Sequence, residues 1–257
     1  IAIDNSNFNF PENINRGDVL IANGSSVNVA AGGRGNITVN ARNVELSGGE
    51  LGRSTLLAGI APESGSLSAQ AGNIILNATN TISLNQGSAI ANQVGLNGIG
   101  NSGEITISTA SLSLTQGGRI DASTLGEGDA GAITINTSGT VSADEENQNG
   151  FISGIFNQVG ETGKGNSGEI NLTTANLSLT RGGQVNAKTN GEGDAGAIIV
   201  NASGIISVDG ESQTGLTSGI YSQVGETGIG NSGGITISTA NLSLTQGGSL
   251  DSSIFGE

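Results

Sequence analysis

The chain has 257 residues, 22 acidic against 8 basic side chains and a formal net charge of −14, and it contains no Cys, His, Met or Trp. Disulfides, thiol or imidazole chemistry and Cys or His metal sites are excluded, and nucleic acid is disfavoured as a partner because the arginines are scattered along the sequence. Glycine, at 45 residues, lies well above the roughly 7% of an average protein, and aromatic residues make up only 2%, which suits a narrow aliphatic interior.

Residues 1 to 34 read as an irregular start or partial coil. NFNFPENIN, with Phe8, Phe10 and Pro11, reads as a loop or partial cap, and residues 17 to 33 hold two short apolar runs that fit one truncated coil. The start lacks an initiating Met and the basic-then-apolar order of a signal peptide, and both ends read as cuts in a longer chain. No run of about twenty apolar residues is present, so no membrane span is expected.

From Gly35 onward the chain repeats. Residues 101–165 and 166–230 are one 65-residue passage written twice without an insertion, and a third copy begins at Asn231. Inside each copy a motif, Gly-x-apolar-x-apolar-polar, recurs. It starts at Gly35, Gly103, Gly168 and Gly233 in coils of one kind (A) and at Gly72, Gly131 and Gly196 in coils of a second kind (B).

The aliphatic pair after each starting Gly, such as Ile105 and Ile107 or Ile133 and Ile135, alternates with small or polar residues and reads as a half-buried strand. A second alternating pair follows in every coil, for example Leu112 and Leu114. A third apolar point stands at Leu51, Ile120, Val185 and Leu250 in the A coils and at Ile90, Ile155 and Ile220 in the B coils. The fold expected over residues 35–257 is therefore all-β: a right-handed parallel β-helix (β-solenoid) of about seven or eight coils, with three short strands per coil and protruding loops.

Several columns of residues invite a functional reading. The polar position five after each Gly (Asn40, Asn77, Ser108, Asn136, Thr173, Asn201, Ser238) is expected to form a hydrogen-bonded ladder along the stack. The repeated GEGDAG turns place Glu127 with Asp129 and Glu192 with Asp194, and carboxylates in glycine-rich turns are possible calcium ligands. The tandem nine-residue period of calcium-binding solenoids is missing, so ordinary exposed turns are expected there, without metal or cofactor. A regular Thr array, as an ice-binding face would need, is also missing from the outward column Thr38, Ile75, Thr106, Thr134, Asn171, Ile199 and Thr236.

Catalysis is not expected. The column Asp121, Asn186, Asp251 is broken by an amide, and its two carboxylates stand about four coils, roughly 19 Å, apart, too far for joint acid and base work. The acidic loops of the later B coils, residues 144–150 and 209–215, vary between copies and offer Asp144, Glu145, Glu146, Asp209 and Glu211 as candidate contact residues, with Phe151 and Phe156 packing the first loop's base against the stack.

The GxITI, LSLTQGG and NSG phrases, with their Ser, Thr, Asn and Gly richness, resemble the repeat region of filamentous haemagglutinin-like bacterial exoproteins of the two-partner secretion pathway, in a flavour that looks cyanobacterial. The resemblance covers roughly residues 17–257. It implies an adhesin-type fibre, extracellular or attached to the outer-membrane surface, that meets cell-surface glycans or proteins and is exported by an outer-membrane transporter through a domain absent from this segment; the NPNGI phrase of that domain does not occur here. The competing readings are a β-helix carbohydrate-active enzyme and a calcium-dependent binding module.

Overall fold

The computed structural model describes residues 15–257; Phe8, Phe10 and Pro11, with the loop or cap expected around them, lie outside the described residues. Among the described residues there is no helix, hence none long and apolar enough to cross a membrane. Every pairing between strands is parallel. The alternating aliphatic pairs dictate this: a strand with one apolar face pairs in the register that keeps that face inward, since a slip of one residue would turn it out. Ile105 thus stands beside Ile133, Ile133 beside Ile170, and Ile170 beside Ile198.

The strands assemble into a sheet of eleven, a sheet of eight and a pair, Gly65–Gln70 with Ile99–Asn101. This corrects the expected right-handed parallel β-helix of three short strands per coil. The first and second strands of every coil belong to the same eleven-stranded sheet, and in Ile37–Ser47, Ile74–Asn85, Ile198–Asp209 and Ile235–Thr245 they run through as single strands of 11 or 12 residues. Ile74–Asn85 pairs with both Ile105–Thr109 and Ser111–Thr115; the two lines of pairing continue separately and rejoin on Ile198–Asp209, which closes a ring of eight parallel strands.

The cause lies at the junction between the two strands. Backbone bonds continue across it, from Ala110 N–H to Asn80, from Gly139 N–H to Ala110 and from Ala175 N–H to Gly139, and the buried hydroxyls of Thr109 and Thr174 donate to the same line of carbonyls. No loop separates the strands, because the junction's backbone groups are already satisfied within the ladder.

The eight-stranded sheet takes one strand from each coil, from Ser26–Asn28 to Ser249–Asp251. Residues 19–22 and 26–28 pair in register with 44–47 and 55–57, so the first described stretch supplies strands to both large sheets. Ile90, Ile120, Ile155, Val185, Ile220 and Leu250 form one inward column, as the spacing predicts. Leu51 does not join it. Gly49 and Gly52 exchange backbone bonds of 3.0 Å in a tight turn that leaves Leu51 79% exposed, and Leu56 takes the place, between Val27 and Ile90.

Inward side chains from both large sheets merge into a single aliphatic core in which Ile133, Val141 and Ile155 are fully buried. Each such side chain contributes about 1.5–3 kcal/mol. The sheets cover one another, a role that helices fill in most all-parallel sheets.

The starting glycines of the motif answer to this packing. A Cβ on Gly72, Gly103, Gly131, Gly168 or Gly196 would collide with the carbonyl oxygen of the motif glycine one coil earlier. None of these five has a positive φ; close approach of backbone to backbone, not turn conformation, requires them.

Candidate functional site

The GEGDAG turns form a ladder. The Asn101 Oδ1 accepts the Asp129 N–H at 2.9 Å, Asp129 Oδ1 accepts the Asn166 N–H at 2.7 Å, Asn166 Oδ1 accepts the Asp194 N–H at 3.0 Å, and Asp194 Oδ1 accepts the Asn231 N–H at 2.8 Å. Carboxylate and amide do the same work at alternate steps, each satisfying a donor at a corner of the stack. The column expected to form such a ladder supplies one rung, Asn77 Nδ2 to Asn40 Oδ1 at 3.1 Å.

Glu127 and Glu192 flank Lys164 in bridged register, and Lys164 Nζ stands 3.3 Å from Glu192 Oε2. Among the described residues no three acidic side chains converge as a metal site would require.

Asp121, Asn186 and Asp251 share an outward column of the eight-stranded sheet, but Phe156 and Tyr221 stand between them. Each side-chain oxygen turns back to its own strand, accepting the N–H two residues on, from Ser123, Lys188 and Ser253. The Ser253 hydroxyl and N–H hold the Asp251 carboxyl below the usual carboxylate range, outweighing its slight burial. All three therefore accept a local turn bond.

The acidic loops are tied down more firmly than their variability suggests. Asp144 accepts the Thr180 hydroxyl at 2.6 Å and pairs with Arg181, Glu145 Oε2 stands 3.9 Å from the same guanidinium, and Asp209 accepts the Thr245 hydroxyl. Glu146 is only 7% exposed because it reaches the next acidic loop at Thr214. Glu211 remains exposed beside the bridge it makes with Thr217. Phe156 is buried as expected, and Phe151 covers the Arg53 guanidinium, 5.0 Å from its ring centre.

Two arginines far apart in sequence stack on the two phenylalanines that follow the first acidic loop, which their scattered positions did not announce. Arg119 lies over the Phe156 ring at 4.1 Å, with its Nη2 3.6 Å from Asp121 and its Nε buried without a partner. Arg53 donates its Nε to the Gly87 carbonyl at 2.6 Å. Desolvation and then the charge of Arg119 push the Arg53 guanidinium below its usual range, with Asp121 opposing.

The next copy of the repeat has Gln184 and Asn186 in place of Arg119 and Asp121. There the polar groups satisfy one another: Asn186 Nδ2 donates to Gln184 Oε1, Gln158 Nε2 to Asn186 Oδ1, and Gln184 Nε2 to the Thr217 carbonyl. That substitution between aligned copies is the signal in the sequence that marks the position. Compared with protein-family models, curated proteins and solved structures, the chain matches none.

Proposed function

We propose that this chain is a segment of a large secreted or surface-attached adhesin-type fibre, in which the repeated parallel strands act as a shaft and the polar loops of the later repeats meet glycans or other cells. The observation that carries the reading is the parallel pairing that continues from Val19 to Asp251, strand after strand, through repeat copies that align without an insertion. Repetition of the 65-residue unit adds strands to the two large sheets in equal steps, which serves reach. Its acidic surface, with a net charge of −14, disfavours side-by-side association of shafts. The sequence resemblance to two-partner secretion exoproteins supports the same setting, with export through an outer-membrane transporter.

The test is surface labelling. Antibodies raised against the chain should label intact, unpermeabilised cells that produce it, or the medium around them. Labelling confined to lysed cells would refute the proposal.

A further inference from the structure

We infer that Arg53, Arg119 and Asn147 form a binding site for the carboxylate of an acidic sugar, such as a uronic acid, at the base of the first acidic loop. The three groups converge on one short backbone stretch. Arg53 bonds the Gly87 carbonyl, a Cβ on Gly87 would meet Asn147 Nδ2 at 2.8 Å, and Arg119 stands in register beside Ala89. Asn147 Oδ1 is taken up by the N–H groups of Asn149 and Phe151, which fixes the amide and leaves Nδ2 as a donor.

Donors outnumber acceptors here. Two arginines elsewhere are paired closely with carboxylates: Arg42 makes two bonds to Asp18, and Arg181 meets both Asp144 and Glu145. At this site Asp121, 3.6 Å from Arg119 Nη2, is the one described carboxylate within ion-pair distance of either guanidinium, and Arg119 Nε is buried without a partner. An unsatisfied buried donor costs about 1–3 kcal/mol, more when charged, so an arriving oxyanion recovers that cost. Phe151 and Phe156 occupy the flat faces of the guanidiniums, so a planar carboxylate meets the edge N–H groups that Gly87 and Asp121 do not take. The next copy, with Gln184 and Asn186 bonded to each other, is the same position with its donors used up.

Overall charge narrows the ligand. A chain at −14 repels a dense polyanion and tolerates a single carboxylate on an otherwise neutral, hydroxyl-rich body. This gives the glycan contact proposed above its chemistry and rests on that reading. The test uses the isolated chain, so its failure leaves the surface-labelling result untouched.

The experiment is an NMR titration of the arginine Nε–H and Asn147 amide signals with methyl glucuronide, methyl glucoside and acetate. Saturable shifts at Arg53, Arg119 and Asn147 are expected with the glucuronide, none with the glucoside, and weaker binding with acetate. Arg119→Gln, which copies the residue of the next repeat, and Arg53→Gln should each weaken glucuronide binding about ten-fold or more, the effect of one charge-assisted hydrogen bond. An unchanged melting temperature verifies that each variant is folded. Absence of saturable shifts, equal binding of the glucoside, or undiminished binding by both folded variants overturns the site. Equal binding of acetate overturns the sugar assignment.

Discussion

The carboxylate of Glu146 accepts both the backbone N–H and the hydroxyl of Thr214, at 3.0 and 2.7 Å, across 68 residues of sequence. It joins two loops that belong to B coils a full repeat apart, so the acidic loops form one braced ridge. Glu146→Ala should cost about 1.5–3 kcal/mol, the range for bonds to a charged group. Hydrogen exchange at Thr214 should accelerate more than exchange in the core strands; uniform exchange across the protein would show that the brace is idle.

Leu56 and Leu51 test the register of the eight-stranded sheet. Leu56 is 1% exposed and Leu51 is 79% exposed. Leu56→Ala should lower stability by about 2–5 kcal/mol, as core truncations do, and Leu51→Ala by less than about 0.5 kcal/mol. Chemical denaturation of the two variants decides it, and similar losses would return Leu51 to the core.

Asp129 should accept an amide without penalty. Its Oδ1 takes the Asn166 N–H as Asn101 and Asn166 take theirs at neighbouring steps. Asp129→Asn is expected to leave the melting temperature unchanged, and Asp129→Ala to cost about 1 kcal/mol for the lost acceptor. If the turns held calcium, the Asn variant would instead lose a calcium-dependent rise in melting temperature that the parent protein shows.

Asp18 carries the clearest pH dependence. Its bonds to Arg42 and Asn43 hold its carboxyl down at about 2, against an ordinary value of 3.8. Because the folded value is depressed, the contribution of this contact is complete above about pH 4 and is lost as pH falls through about 2. The pair is exposed, so the effect on global stability is small. Following the Arg42 Nε–H signal with falling pH should show the contact opening in that window, and a midpoint near 4 would contradict the depression.

The strands of the larger sheet were legible because period-two aliphatic pairs such as Ile133 and Ile135 state both the strand and its inward face. Their union into one sheet was not, since it depends on hydrogen bonds through Ala110 and Gly139 that no hydrophobic pattern encodes. Leu51 misled because the Gly49–Gly52 turn adds residues before the third strand, and apolar character alone does not separate Leu51 from Leu56. The ladder was expected at Asn40 and its equivalents, where one amide bond forms, while the Asn101 to Asn231 column satisfies main-chain donors at every step. Arg53 lies in the least regular part of the repeat, so its place against Phe151 and the Gly87 carbonyl follows from three-dimensional stacking and from nothing local.

The column of motif glycines has a consequence for how such a chain can change. From Gly103 to Gly131, Gly168 and Gly196, each step sets bare backbone on bare backbone. A duplication or deletion of one whole 65-residue unit therefore creates a joint there with the same shape as the joint it replaces. Along this line no side chains have to be re-matched, and the length of the chain becomes a quantity that recombination can adjust in whole steps while the core around it stays as it was.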